Sequence, residues 1–124
     1  MEIVLFDREL EVIEVLWERG PSTVAEVKDA LEDEMAYNTV LTVLRRLEDK
    51  GYVGHEEKGR AHCYHARIER RAARESALKR LTGKLFGGSA ELLLTHLVSR
   101  RRLSEAQLRR IRALVDEKLE EGDR

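Results

Sequence analysis

Apolar residues recur along the first fifty positions at the three- and four-residue spacing of helices, and each run is bounded by residues that start or stop a helix. Leu10, Ile13, Leu16 and Trp17 form the first stripe, with Asp7 placed to cap its start and Gly20-Pro21 to end it. Thr23-Val24-Ala25-Glu26 reads as a capping box, in which hydroxyl and carboxylate each satisfy a backbone donor of the other residue. Val24, Val27 and Leu31 then mark the inner face of a short second helix that closes at Glu32-Asp33-Glu34. After a turn around Met35-Ala36-Tyr37, Asn38 is placed to cap a third helix with Val40, Leu44 and Leu47 inward and Gly51 at its end. The pattern then changes to strands. Tyr52 to Glu56 and Ala61 to Ala66 flank Glu57-Lys58-Gly59-Arg60, which predicts a hairpin whose glycine supplies a positive φ.

From Ile68 onward the spacing predicts three more helices, interrupted at Gly87-Gly88 and at Arg100-Arg101-Arg102, with a second capping box at Ser104-Glu105-Ala106-Gln107. Three helices followed by a hairpin is the order of a winged helix-turn-helix. The expected fold is therefore mainly α with a small β-hairpin wing: residues 1–66 form a winged-helix DNA-binding domain and residues 67–124 a three-helix dimerisation domain. The later helices carry Leu85, Phe86, Leu93 and Leu97, then Leu108, Ile111, Leu114 and Val115, more apolar surface than three short helices can hide among themselves. An intersubunit core, and hence a homodimer, is expected.

Charge at first argues against DNA binding. Residues 1–66 hold 8 basic and 15 acidic side chains, whereas residues 67–124 hold 15 and 9. The acid is concentrated ahead of the third helix, since residues 1–35 hold 3 basic and 11 acidic side chains and residues 36–66 hold 5 and 4. That third helix has what a recognition helix needs: small polar residues at its start, an apolar inner face and basic residues near its end. Asn38, Thr39 and Thr42 are the base-edge candidates, through an amide suited to adenine and threonines suited to a hydroxyl bond or a thymine methyl. Tyr37, Arg45, Arg46 and Lys50 are placed to hold the phosphate backbone, with Lys58, Gly59 and Arg60 at the wing tip beside it.

Other constellations are weaker. A register pairing Glu56 with Ala61 would set His55 opposite His62, but two imidazoles do not make a metal site, and none is assigned. Cys63 is the sole cysteine, so an intrachain disulfide and a thiolate cluster are excluded. Arg67, Arg70, Arg71 and Arg74 either extend the DNA-facing surface or pair with the acidic helices, the pairing being favoured. No nucleophile with a base partner, phosphate-cradling loop or ligand triplet is found, so neither an enzyme nor a cofactor is expected. The N-terminus lacks the pattern of a signal peptide and no stretch approaches a membrane span, so the expected location is the cytoplasm, without membrane insertion.

The chain resembles the penicillinase-repressor family of winged-helix regulators over nearly its whole length. The resemblance is carried by residues 9–17 (ELEVIEVLW), residues 39–51 (TVLTVLRRLEDKG), Gly59-Arg60 followed by Tyr64, and Leu85-Phe86-Gly87-Gly88-Ser89. It implies a homodimeric transcriptional repressor in which each N-terminal domain reads one half of an inverted-repeat operator in double-stranded DNA. In the antibiotic-responsive members it also implies a membrane sensor-protease that triggers cleavage at an Asn-Phe pair, where this chain has His96-Leu97. The copper-responsive members end in paired Cys-x-Cys motifs, which this chain lacks. Two alternatives stand beside the repressor: a winged-helix module that binds a protein, for which the acidic first helices suit a basic partner, and a regulator that senses a small molecule directly.

Overall fold

The computed structural model describes residues 2–122. Among them the order is α1 (Asp7–Arg19), β1 (Ser22–Thr23), α2 (Val24–Ala30), α3 (Tyr37–Asp49), β2 (Val53–Lys58), β3 (Ala61–Ala66), α4 (Arg70–Leu85), α5 (Ala90–Arg100) and α6 (Glu105–Gly122). The chain is mainly helical, with a three-stranded antiparallel sheet in the order β1-β3-β2. It divides into two compact units, the first running to Arg80 and the second beginning at Leu81.

In the first unit, Val12, Ile13 and Leu16 of α1, Val27 of α2, Val40, Leu44 and Leu47 of α3, Val53 of β2 and Tyr64 of β3 share one core. The inner stripe of α1 lies one position away from the sequence expectation. Glu9, Val12, Ile13 and Leu16 are buried, whereas Leu10 is exposed and Trp17 only half-buried. Trp17 sits at the edge because its indole N–H donates to the Ile68 carbonyl at 2.9 Å, an acceptor on the segment leading into α4.

Two expected caps are replaced by other devices. Asp7 is the first residue inside α1 and Phe6 occupies the cap position, where the Phe6 N–H donates to Glu9 Oε1 at 2.9 Å. The carboxylate three positions in reaches back to the exposed donor, so a side-chain cap is not needed. Similarly, Ala36 precedes α3 and Asn38 is its second residue, with no side-chain cap bond. Here Met35 and Val40, the two positions that a hydrophobic staple joins, are both buried in the core and fix the entry of the chain. The capping box of α2 forms as expected, with Thr23 N–H to Glu26 Oε1 at 3.0 Å and Glu26 N–H to Thr23 Oγ1 at 3.2 Å.

The hairpin is tighter than expected. β2 continues to Lys58, the turn is Gly59-Arg60 with Gly59 at φ +66°, and Lys58 pairs with Ala61, so Glu56 faces Cys63 and His55 faces Tyr64. The expected His55–His62 pair is corrected by two residues. Because side chains alternate with period two, that slip leaves both histidines on one face, where their rings stack diagonally at 4.5 Å. β1 was not visible in the sequence pattern; its two residues gain strand character only by pairing with Cys63 and Tyr64.

In the second unit, Gly87 and Gly88 both take positive φ and turn the chain into α5, whose first turn is capped by Ser89 Oγ accepting the Leu92 N–H at 3.0 Å. The box at the start of α6 closes through Ser104 N–H to Gln107 Oε1 at 2.8 Å and Gln107 N–H to Ser104 Oγ at 3.1 Å. Local signals are satisfied, but burial is not. Leu93 is the only buried apolar residue of this unit among those described.

Candidate nucleic-acid interface

α3 separates its faces cleanly. Val40, Val43, Leu44 and Leu47 are buried, while Tyr37, Asn38, Thr42, Arg45 and Arg46 are exposed and Thr39 is half-buried. The first turn therefore offers a phenol, an amide and threonines to solvent. The Thr42 hydroxyl donates to the Asn38 carbonyl at 2.8 Å, which occupies its proton and leaves an acceptor oxygen and a methyl for other contacts. Asn38 and Thr39 have no such side-chain tie among the described residues.

The basic residues near the end of α3 divide into two groups. Arg46 Nε and Lys50 Nζ both donate to the fully buried Glu9 carboxylate, at 3.0 and 2.8 Å. Burial alone would push the Glu9 carboxyl up, but the bond from Lys50, the Phe6 amide and the bond from Arg46 outweigh it and hold the group below its ordinary range. Lys50 also lies 4.6 Å from the centre of the Phe6 ring. These contacts fasten the C-terminal end of α3 to α1. Arg45, Lys58 and Arg60, by contrast, are exposed and have no ion pair among the described residues.

The wing is tied to the same helix. His55 Nδ1 lies 2.7 and 2.9 Å from the two Glu48 oxygens, so the last turn of α3 fixes the root of β2. His62 Nε2 lies 3.5 Å from Glu57, and among the described residues no group of three or more potential ligands could hold a metal. Tyr64, opposite His55 and buried, has its phenol pushed up by desolvation and then by the nearby Glu48 charge. Of the arginines after the wing, Arg70 pairs with Glu14 and Glu18 of α1 at 2.8 and 3.7 Å, and Arg71 with Glu75 on its own helix. The favoured ion pairing is thus realised by Arg70.

Sequence reasoning missed Glu9 and Glu48. For Glu9 a signal existed, since an acid at position 9 completes the 9, 12, 13, 16 stripe and places a charge on the apolar face of α1. For Glu48 the partner depends on strand register, which the sequence misplaced. The expected dimerisation residues also differ in placement: Leu93 faces its own unit's interior, Phe86 and Ile111 are half-buried, and Leu85, Leu97, Leu108, Leu114 and Val115 are exposed.

A family profile described as penicillinase repressor matches residues 5–117. The chain belongs to the penicillinase repressor family. Within reach of that family, it is 37% identical to the transcriptional regulator BlaI of Mycobacterium tuberculosis, across 97% of this chain and 89% of that protein. The penicillinase repressor of Bacillus licheniformis is 24% identical across 90% and 88% of the two chains. The methicillin resistance regulatory protein MecI of Staphylococcus aureus is 19% identical across 89% and 91%. The crystal structure of MepR, a transcription regulator of the Staphylococcus aureus multidrug efflux pump MepA, superposes with a TM-score of 0.50 at 18% identity, across 94% of this chain and 79% of that one. That likeness shows the winged-helix fold. The penicillinase repressor family consists of transcriptional repressors and not of enzymes. Among the described residues no helix is long and apolar enough to cross a membrane.

Proposed function

We propose that this chain is a cytoplasmic, homodimeric repressor that needs no cofactor and reads an inverted-repeat operator in double-stranded DNA with two copies of α3. The observation that carries the reading is the divided surface of α3, locked by its apolar face and by Glu9 while Tyr37, Asn38, Thr39 and Thr42 are left at the surface of its first turn. Asn38 and Thr39 read base edges, the Thr42 methyl meets a thymine methyl, and Tyr37, Arg45, Lys58, Gly59 and Arg60 lie against the sugar-phosphate backbone. Arg46 and Lys50 act mainly by holding the helix in place. Residues 1–66 read DNA and residues 67–124 dimerise, through Leu85, Phe86, Leu97, Leu108, Ile111, Leu114 and Val115, with Leu93 shaping the surface from beneath.

Each reading domain carries few unpaired cations, so useful affinity depends on engaging two half-sites together. A signal that parts the dimer therefore releases DNA. A sensor-protease acting near His96-Leu97 within α5 would do this, as would any other event that disrupts α5 and α6. The test is selection of bound duplexes from a random pool at near-physiological salt, followed by titration of the selected site against its isolated half. An inverted repeat bound far more tightly than one half is the expected result. Binding without sequence preference that vanishes as salt rises would overturn the reading in favour of a module for a protein partner.

A further inference from the structure

Leu5 ahead of α1, Leu10 and Trp17 of α1, and Ala73 and Ala77 of α4 line a cavity of about 260 Å³ in the first unit. An engineered apolar cavity of roughly 150 Å³ accommodates benzene, so this one has room for a ring with a short substituent. Its polar lining is mostly of one sign: Arg70, Arg74 and Arg80 against Glu14. Arg80 Nη1 donates to the Ile3 carbonyl at 3.1 Å, and the Arg74 side chain has no ion pair or hydrogen bond among the described residues. Arg70 gives one nitrogen to Glu14, and its guanidinium lies 5.5 Å from the centre of the Trp17 ring. Its Nε is buried with no hydrogen-bond partner. That nitrogen is sealed from solvent and so is not itself offered to the cavity, but a carboxylate is the acceptor that a guanidinium edge satisfies best, and the Arg74 edge is free for one.

We infer that this cavity is a binding site for a small apolar carboxylate, its ring or short chain seated against Leu5, Leu10 and Trp17 and its anionic end turned to Arg70 and Arg74. The inference deepens the direct-sensor alternative by naming the ligand class, and it does not depend on whether the chain binds DNA. Glu14 and Glu18 share the charge of Arg70, at 2.8 and 3.7 Å, so Arg74, which has no such partner among the described residues, is the principal anchor of the anionic end. The chain has one tryptophan, and it lines the cavity, so the Trp17 indole N–H gives a single resonance that reports this site.

The experiment is titration of the full-length ¹⁵N-labelled protein with 3-phenylpropionate and, separately, with 3-phenylpropionamide, which has the same shape without the charge. The expected result is a saturable shift of the indole resonance in the low-millimolar range suited to about eleven heavy atoms, with the amide about tenfold weaker. Arg74→Gln removes most of that difference. Ala77→Phe, at an exposed position on the cavity wall, fills the space and abolishes the shift by both compounds while the rest of the spectrum shows a folded protein. An unmoved indole resonance, equal affinity for acid and amide, or unchanged binding in Ala77→Phe would each overturn the inference.

Discussion

Val12, Ile13, Leu44 and Leu47 in the first unit are sealed from solvent, whereas Leu85, Leu114 and Leu119 in the second keep more than half of their surface exposed. Both units have well-formed helices with satisfied caps, so the difference does not lie in local structure. It lies in what each segment has to pack against. α1, α2, α3 and the sheet surround a common interior, and burying a leucine or valine there is worth about 1.5–3 kcal/mol. α5 and α6 present apolar residues along their length with almost no interior of their own, and helices of that length draw most of their stability from packing. The first unit closes around its own interior, and the second leaves exposed the apolar surface that the proposed homodimer would cover.

Breaking the second unit should have the largest effect. Leu114→Glu places a charge where the proposed interface is apolar, and we expect sedimentation to show monomers. Affinity for the full operator should fall by about 10²–10⁴, the range that joining two binding events supplies, with the same preferred half-site sequence. A variant that remains dimeric with unchanged operator affinity would remove the second unit from the proposed role.

Breaking the first unit at Glu9 should be the next largest. Glu9→Gln keeps the shape and leaves Arg46 and Lys50 without their buried anion. Full loss of a buried pair costs about 3–5 kcal/mol, but both cations are partly solvated here, so about 2 kcal/mol is expected from urea unfolding. Since α3 loses its anchor, binding should weaken in parallel on every DNA sequence, while the dimer persists. Loss of the dimer in this variant would contradict the independence of the two units.

A smaller, finer comparison lies within α3 itself. Thr39→Ala should change base preference at one step of each half-site by about 1–3 kcal/mol. Arg45→Ala should instead weaken all sequences alike and reduce the slope of log affinity against log salt by about 0.9. Competition against a panel of single-base operator variants at two salt concentrations separates the two; equal losses everywhere for both would erase the division between reading and holding.

The same contrast explains what was legible in the sequence. Gly20, the Thr23–Glu26 box, the Ser104–Gln107 box and the positive φ of Gly59 are local chemistry, and the order of the elements other than β1 followed from them. The outward residues of α3 were legible because the apolar period of the helix fixed its inner face. What remained hidden depends on distant partners. The ion pairs of Arg46 and Lys50 with Glu9 depend on α1 packing against α3, His55 and His62 lie two residues out of the expected register, and Ser22 pairs with Tyr64 across 41 intervening residues. Charge in a sequence shows where cations are, but only the fold shows which are already neutralised.

The pH dependence of the first unit should be the smallest effect, and it tests that neutralisation directly. The Glu9 carboxyl is held below its ordinary value of 4.5 in the folded chain, despite burial, by Lys50, the Phe6 amide and Arg46. A depressed folded value means that the unfolded chain takes up the proton first on acidification. The stabilisation is therefore fully present above the unfolded value and is lost as pH falls through the lowered folded value. Comparing urea stability of the parent protein with that of Glu9→Gln removes the contributions of the other carboxylates, which titrate in both. The gap between the two proteins should be constant from neutral pH down to the ordinary carboxylate range and should narrow below it, because protonated Glu9 loses the negative charge that glutamine lacks at every pH. The absence of a gap at every pH would mean that the shape of the side chain, which glutamine shares, rather than its charge holds α3 against α1.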